Sequence, residues 1–275
     1  MNSESSLSSP IGVFDSGIGG LTVAAALRRL LPAEKIFYLG DTARVPYGGK
    51  SRRTVERYSV EISGLLLAEG AKIIVVACNT ASALALPKLQ ELFRAPVQGV
   101  ILPGAKSAVA KTQAGKIGVI GTRATIRSGA YEQAIRQLQP DARVFSEACP
   151  LLVPLIEEGL LEDPITDAVL RRYLDPLLAK GVDTLVLGCT HYPLLREAIA
   201  RVAGSGIALV DSAENCALAV RELLRQQAIE AGNQQNGSLR VALTDASEGF
   251  LRVAEEALDL EIGDVELRAV QGVLG

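Results

Sequence analysis

Short apolar runs rich in valine and isoleucine recur along this 275-residue chain, and longer segments with apolar residues at spacings of three and four stand between them. A strand that is apolar throughout must be covered on both faces. Helical connections supply that cover, so the alternation specifies an α/β fold built on mostly parallel sheet. Strands are expected near residues 11–15, 36–40, 72–77, 96–102, 116–121, 142–146, 184–188, 207–210, 239–244 and 265–270. Among the helices, residues 51–69 place Val55, Tyr58, Ile62 and Leu65 on one face, with Ser51 as N-cap and Gly70 past the end. Another starts from a cap at Ser212 and runs to Gln227, with Cys216, Ala219, Val220 and Leu223 on its apolar side, which makes Cys216 a core residue.

The pattern also repeats. Ile11-Gly-Val-Phe-Asp-Ser-Gly17 aligns with Ile117-Gly-Val-Ile-Gly-Thr-Arg123, and the run Val75 to Thr80 aligns with Leu185 to His191. Two similar half-chains are implied, each carrying one cysteine at a strand end, although Ile-Gly-Val is common enough in buried strands to match by chance. Residues 11–102 with 211–275 are expected to form a first, discontinuous α/β domain and residues 103–210 a second, with the two cysteine sites facing each other. Pro103-Gly104 and the stretch near Val210 are the candidate crossovers. The polar segment 232–238 reads as a surface loop, and serine-rich residues 1–10 as a disordered lead-in without signal-peptide features.

Composition removes several classes of function. No apolar stretch approaches the roughly 18 residues of a membrane span. Net charge is −3 with lysine and arginine dispersed, so the basic footprint of a nucleic-acid binder is missing and a small molecule is the expected partner. A single histidine excludes sites built from several imidazoles, and four scattered cysteines without Cys-x-x-Cys suit neither zinc nor a disulfide framework. Reduced thiols in the cytoplasm are expected.

The sharpest motifs are Val-Val-Ala-Cys78-Asn-Thr and Val-Leu-Gly-Cys189-Thr-His. Each delivers a cysteine to the carboxyl end of a strand, where open α/β sheets bind ligands, and where a following helix would lower the thiol pKa. One cysteine alone is more often a small core residue; two in matched contexts point to paired bases. His191, two residues past Cys189, is placed to exchange a proton with it. Asp15, ending the first strand, is the counterpart near Cys78, or else a helix N-cap. Asp15-Ser-Gly-Ile-Gly-Gly20 lacks the spacing of a nucleotide loop but offers amides and the Ser16 hydroxyl to a carboxylate. Asp41 to Gly49 is a second polar loop, in which Arg44 reads as a solvated charge or an anion contact.

With these residues assembled, the chain resembles the glutamate racemases of the aspartate/glutamate racemase superfamily. The likeness runs from about Ile11 to Val210 through Phe14-Asp-Ser-Gly-Ile-Gly-Gly, Asp41 to Pro46-Tyr-Gly, Ala77-Cys-Asn-Thr, Ile120-Gly-Thr, Pro154-Leu-Ile-Glu-Glu-Gly159 and Gly188-Cys-Thr-His191. The resemblance implies two α/β domains around one cleft, no cofactor or metal, a homodimer, and supply of D-glutamate for peptidoglycan. It gives proton transfer to Cys78 (from D-glutamate) and Cys189 (from L-glutamate), assisted by Asp15 and His191, with Glu157 near the second thiol although Glu158 is adjacent. By the same matching, Asp15, Ser16, Pro46, Tyr47, Gly48, Asn79, Thr80, Thr122, Thr190 and His191 hold the substrate. Racemisation moves a proton between opposite faces of one carbon, which two bases on two domains can do without moving. The alternatives are an aspartate or hydantoin racemase, a maleate isomerase, a two-lobed amino-acid binding module, or a thiol-redox protein.

Overall fold

A computed structural model describes residues 7–232, 236–245 and 262–270. The first half runs β1 (Ile11–Asp15), α1 (Leu21–Leu30), β2 (Lys35–Gly40), α2 (Arg52–Ala68), β3 (Ile73–Val76), α3 (Asn79–Leu92) and β4 (Val97–Gly99). Helix α4 (Ile101–Lys111) crosses to β5 (Lys116–Gly121), α5 (Arg123–Ser128), α6 (Ala130–Leu138), β6 (Arg143–Ala148), α7 (Leu152–Glu157), α8 (Pro164–Leu178), β7 (Thr184–Gly188), α9 (Arg196–Ala203) and β8 (Ala208–Asp211). Helix α10 (Ser212–Gln226) returns the chain to β9 (Ser238–Leu243) and β10 (Val265–Leu267).

The strands make two sheets, ordered β10-β9-β2-β1-β3-β4 and β6-β5-β7-β8, and every pairing among the described residues is parallel. The order 2-1-3-4 of the first half is the order 6-5-7-8 of the second. The two aligned sequence motifs therefore fall on equivalent neighbouring strands, β1 and β3 in one sheet, β5 and β7 in the other. Strands β9 and β10 extend the first sheet beyond β2, as the sequence suggests.

Both faces of the first sheet are covered, which is why its strands read as unbroken apolar runs. Ile11 and Val13 of β1 pack with Leu21, Val23 and Leu27 of α1, whereas Phe14 packs on the other face with Val55, Ile62 and Leu66 of α2 and with Leu84 and Leu89 of α3. Each such side chain, fully buried, contributes about 1.5–3 kcal/mol. The α1 face does not stop at the first sheet. Its cluster continues through Cys216, Val220 and Leu224 of α10 to Leu185 and Leu187 of β7 and Ile199 of α9, so the halves share one interior.

Several local expectations are corrected. The strand expected over 96–102 ends at Gly99 and α4 begins at Ile101. Proline is tolerated in a first helical turn because its missing N–H has no partner there, so Pro103 sits inside α4 and the crossover is a helix. Asp211, not Ser212, caps α10, its carboxylate accepting from the Ala213 amide at 2.7 Å. That helix packs against both α1 and α4, so Ala213, Cys216, Ala217, Val220 and Leu224 are buried while Ala219 and Leu223 are only half-buried. Ser51 does cap α2, accepting from Thr54, but Tyr58 and Leu65 are half-buried and Leu66 takes the core position.

Of the serine-rich lead-in, residues 1–6 lie outside the described residues, as do 233–235 of the expected loop. Leu7 and Pro10 are tied down by Lys72, whose backbone amide bonds the Pro10 carbonyl at 2.9 Å and whose ammonium bonds that of Leu7 at 3.1 Å. The same ammonium pairs with Glu34 at 2.7 Å in a nearly solvent-free site and bonds the Ile229 carbonyl.

Candidate active site

Strands β3 and β7 end at Val76 and Gly188, and Cys78 and Cys189 stand just past those ends. Both cysteines line one cleft of about 320 Å³. Ser16, Pro46, Tyr47, Gly48, Asn79 and Thr80 join them from the first half, and Thr122, Glu157, Thr190 and His191 from the second. Every expected site residue except Asp15 thus faces this space. Asp15 is wholly buried and not part of the lining.

The two thiols sit in different surroundings. Cys78 is the N-cap of α3, its sulfur accepting from the Ala81 amide at 3.4 Å and lying 3.6 Å from the Ser16 hydroxyl. A helix N-terminus alone would favour the thiolate, as the sequence suggests, but here burial and the charge of Asp15 outweigh the amide and push the Cys78 thiol up to about 12. It carries its proton at neutral pH. At Cys189 no α-helix begins. A bend and a short 3₁₀ turn (Tyr192–Leu195) intervene, and His191 takes the place of the helix, its Nδ1 lying 3.8 Å from the sulfur.

On its other side His191 meets a carboxylate, with Nε2 3.2 Å from Glu157 Oε1. Glu157, rather than its neighbour Glu158, therefore reaches the site. Burial opposes the charged ring, yet the hydrogen bonds to Cys189 and Glu157 and the negative charges of Cys189 and Asp15 prevail and raise His191 to about 10. The ring is an imidazolium at neutral pH.

Asp15 lies between the two ends. Its carboxylate accepts from the Gly17 amide at 3.0 Å and from the Thr190 hydroxyl at 3.3 Å, and burial raises it above the usual carboxylate range. The N-cap of α1 is Gly20, so Asp15 is not the helix cap. The glycines of this loop act by leaving room. A Cβ at Gly20 would fall 2.5 Å from Asp15, and one at Gly19 only 2.4 Å from His191 Nδ1. One amide that the loop seemed to offer a ligand, that of Gly17, is taken by Asp15.

The Asp41–Gly49 loop forms the opposite wall. Arg44 is neither a free surface charge nor an anion contact. It pairs with Asp41 at 2.7 Å and with Glu61, and lies 4.0 Å over the Tyr58 ring. Asp41 in turn accepts from the Tyr47 hydroxyl and, at 3.0 Å, from Thr244, which fixes the Pro46-Tyr47-Gly48 edge. Gly48 meets Thr122 of the other half so closely that a Cβ would lie 2.8 Å away. Thr80 bonds Thr122 at 2.9 Å beside it.

Sequence reasoning missed Arg123, Cys149, Val153 and Tyr192, all of which line the cleft. The Cys149 carbonyl receives the Tyr192 hydroxyl at 2.9 Å. Adjacency to Pro154 and His191 was the only available hint. All four cysteines are free, and among the described residues no group of three or more histidine, cysteine or acidic residues is placed to hold a metal.

A model of the Asp/Glu/Hydantoin racemase family matches residues 12–220. The chain belongs to that family. Glutamate racemase of Geobacter metallireducens is 50% identical over 255 residues, covering 93% of this chain and 94% of the relative. A solved glutamate racemase isoform of Bacillus anthracis is 41% identical with a TM-score of 0.90, over 96% of this chain and 97% of that one. The Francisella tularensis glutamate racemase solved in complex with D-glutamate is 37% identical with a TM-score of 0.89, over 96% and 99%. This racemase is accordingly an isomerase of the glutamate racemase kind, with the two-lobed α/β fold of those structures. Among its described residues, no helix is long and apolar enough to cross a membrane.

Proposed function

We propose that this racemase interconverts L- and D-glutamate by two-base proton transfer between Cys78 and Cys189, without a cofactor. The observation that carries the proposal is the position of these two sulfurs: at the carboxyl ends of equivalent strands in the two halves, both lining one cleft. With L-glutamate, the Cys189 sulfur as thiolate takes the α-proton. The C–H electron pair moves into the carboxylate as an enediolate, and the Cys78 thiol gives its proton to the opposite face, leaving Cys78 as thiolate. With D-glutamate the same steps run backwards.

The resting protonation fits this direction. Cys78 holds a proton to give, and the His191 imidazolium stands as countercharge or proton store beside Cys189. The enediolate needs donors at its oxygens in a site that excludes water, and Ser16, Asn79 and Thr80 supply hydroxyl and amide groups along the lining, while the Thr190 hydroxyl is given to Asp15. Asp15 acts on the Cys78 thiol by its charge, and Glu157 acts on Cys189 through His191. By family likeness, the proposal extends to a cytoplasmic homodimer that supplies D-glutamate for peptidoglycan.

The test is incubation of the pure protein with either enantiomer in D₂O, without additives. Deuterium is expected at the α-carbon of the product enantiomer. Inversion without solvent deuterium would refute exchange through thiols that equilibrate with water.

A further inference from the structure

Tyr131 belongs to the second half, yet its hydroxyl ends on Asn79, the residue that follows the first cysteine. The side chain is 3% exposed and donates to Asn79 Oδ1 at 2.7 Å, immediately after Cys78. Its ring runs between two glycines. A Cβ at Gly104 of α4 or at Gly188, the residue before Cys189, would lie 3.2 Å from the ring. This one side chain thus passes the crossover helix and the end of β7 to reach the start of α3.

The network around Asn79 fixes which way its amide points. Ser212 donates to the Leu187 carbonyl at 3.5 Å, so its oxygen accepts from Asn79 Nδ2, also at 3.5 Å. The carbonyl end of the amide must then face Tyr131, which donates to it. An asparagine amide offers two N–H donors. One is directed at Ser212; Asn79 also lines the cleft, and the second is the donor that a ligand there would use. Without the phenol, the amide keeps only the long hydrogen bond to Ser212, and among the described residues no other hydrogen bond holds its oxygen away from the cleft.

We infer that Tyr131 is a positioning residue for the reaction: its phenol holds the Asn79 amide so that an N–H, and not the carbonyl oxygen, meets the substrate's carboxylate. The inference rests on the reading of the cleft as the glutamate site. It assigns to the second half a part in shaping the binding surface of the first, across the gap that the substrate must enter.

The test is Tyr131→Phe, which keeps the ring between the glycines and removes only the hydroxyl. KM for both enantiomers should rise about tenfold while kcat falls much less, as expected when a binding contact is lost in ground and transition states alike. In an Asn79→Ala background the same substitution should change KM no further, because its effect passes through Asn79. Unchanged KM in the single variant, or an equal further loss in the double variant, overturns the inference. Calorimetric titration with D-glutamate separates the two readings. If the unsubstituted protein fails to bind, both fall; if it binds and Tyr131→Phe binds equally well, only this one falls. A measurement on the unsubstituted protein adds an independent check: the side-chain amide proton signals of Asn79 should shift when D-glutamate is added, and signals that stay put overturn the inference.

Discussion

The two cysteine ends are built on the same backbone and furnished differently. Strands β3 and β7 hold equivalent places beside β1 and β5, and a cysteine stands just past the end of each. Cys78 then caps a helix under the charge of a buried aspartate, with its thiol pushed up to about 12. Cys189 is followed by a bend and faces a histidine raised to about 10, anchored on Glu157 at the cleft rim. Repetition of the fold supplies opposed positions. The side chains break the symmetry: a buried aspartate stands by one thiol and a histidine by the other.

That contrast is open to direct attack. Cys78→Ala and Cys189→Ala should each lower kcat by about 10³-fold or more in both directions, in the upper range for loss of a positioned acid or base. Circular dichroism of glutamate solutions follows the reaction, and near-normal turnover in either variant ends the two-base scheme. His191→Asn should slow the L-to-D direction by about 10²-fold and the reverse direction less, with KM little changed. Equal losses would mean that the ring serves both thiols. Glu157→Gln removes a carboxylate that raises His191, so the ring proton, followed by NMR, should titrate below about 10, and the alkaline limb of the L-to-D rate should move to lower pH. A ring that titrates unchanged would show that Glu157 does not tune it.

The smallest effect concerns stability. The folded His191 ring titrates near 10 and an unfolded one near 6.5, so its contribution is whole below about pH 6.5 and is lost as pH rises through 10. The gap in urea-unfolding free energy between the unsubstituted protein and His191→Asn should therefore narrow from pH 6 to pH 10. A widening gap would mean the ring is buried uncharged.

What could be read from the sequence followed from periodicity and local motifs. The paired cysteine strands and their doubling needed only the apolar runs and the two alignments, and the sheets repeat in the same order. Contacts between residues far apart were not legible. Arg44 looked like a loop charge because Glu61 and Tyr58 lie more than ten residues away. Tyr131 carried no signal, since Asn79 is 52 positions distant. The choice between Glu157 and Glu158 needed the phase of a short helix, and the cap of α10 slipped by one residue because Asp211 and Ser212 are both good caps. The thiol acidity of Cys78 was misjudged because burial, which opposes the helix amides, is a property of the assembled fold.

One feature of the interior bears on how a ligand gets in. Leu27 of α1, Val220 of α10 and Leu185 of β7 belong to a single apolar mass. Parting the lobes like a clamshell would drag that oily seam into water, and lobes joined in this way resist rigid opening. A route that leaves the seam closed would run past Pro46, Tyr47, Gly48, Val153 and Glu157, which line the cleft. Admission and release would then be set by a few loop residues at the doorway, while the body of the molecule stays shut.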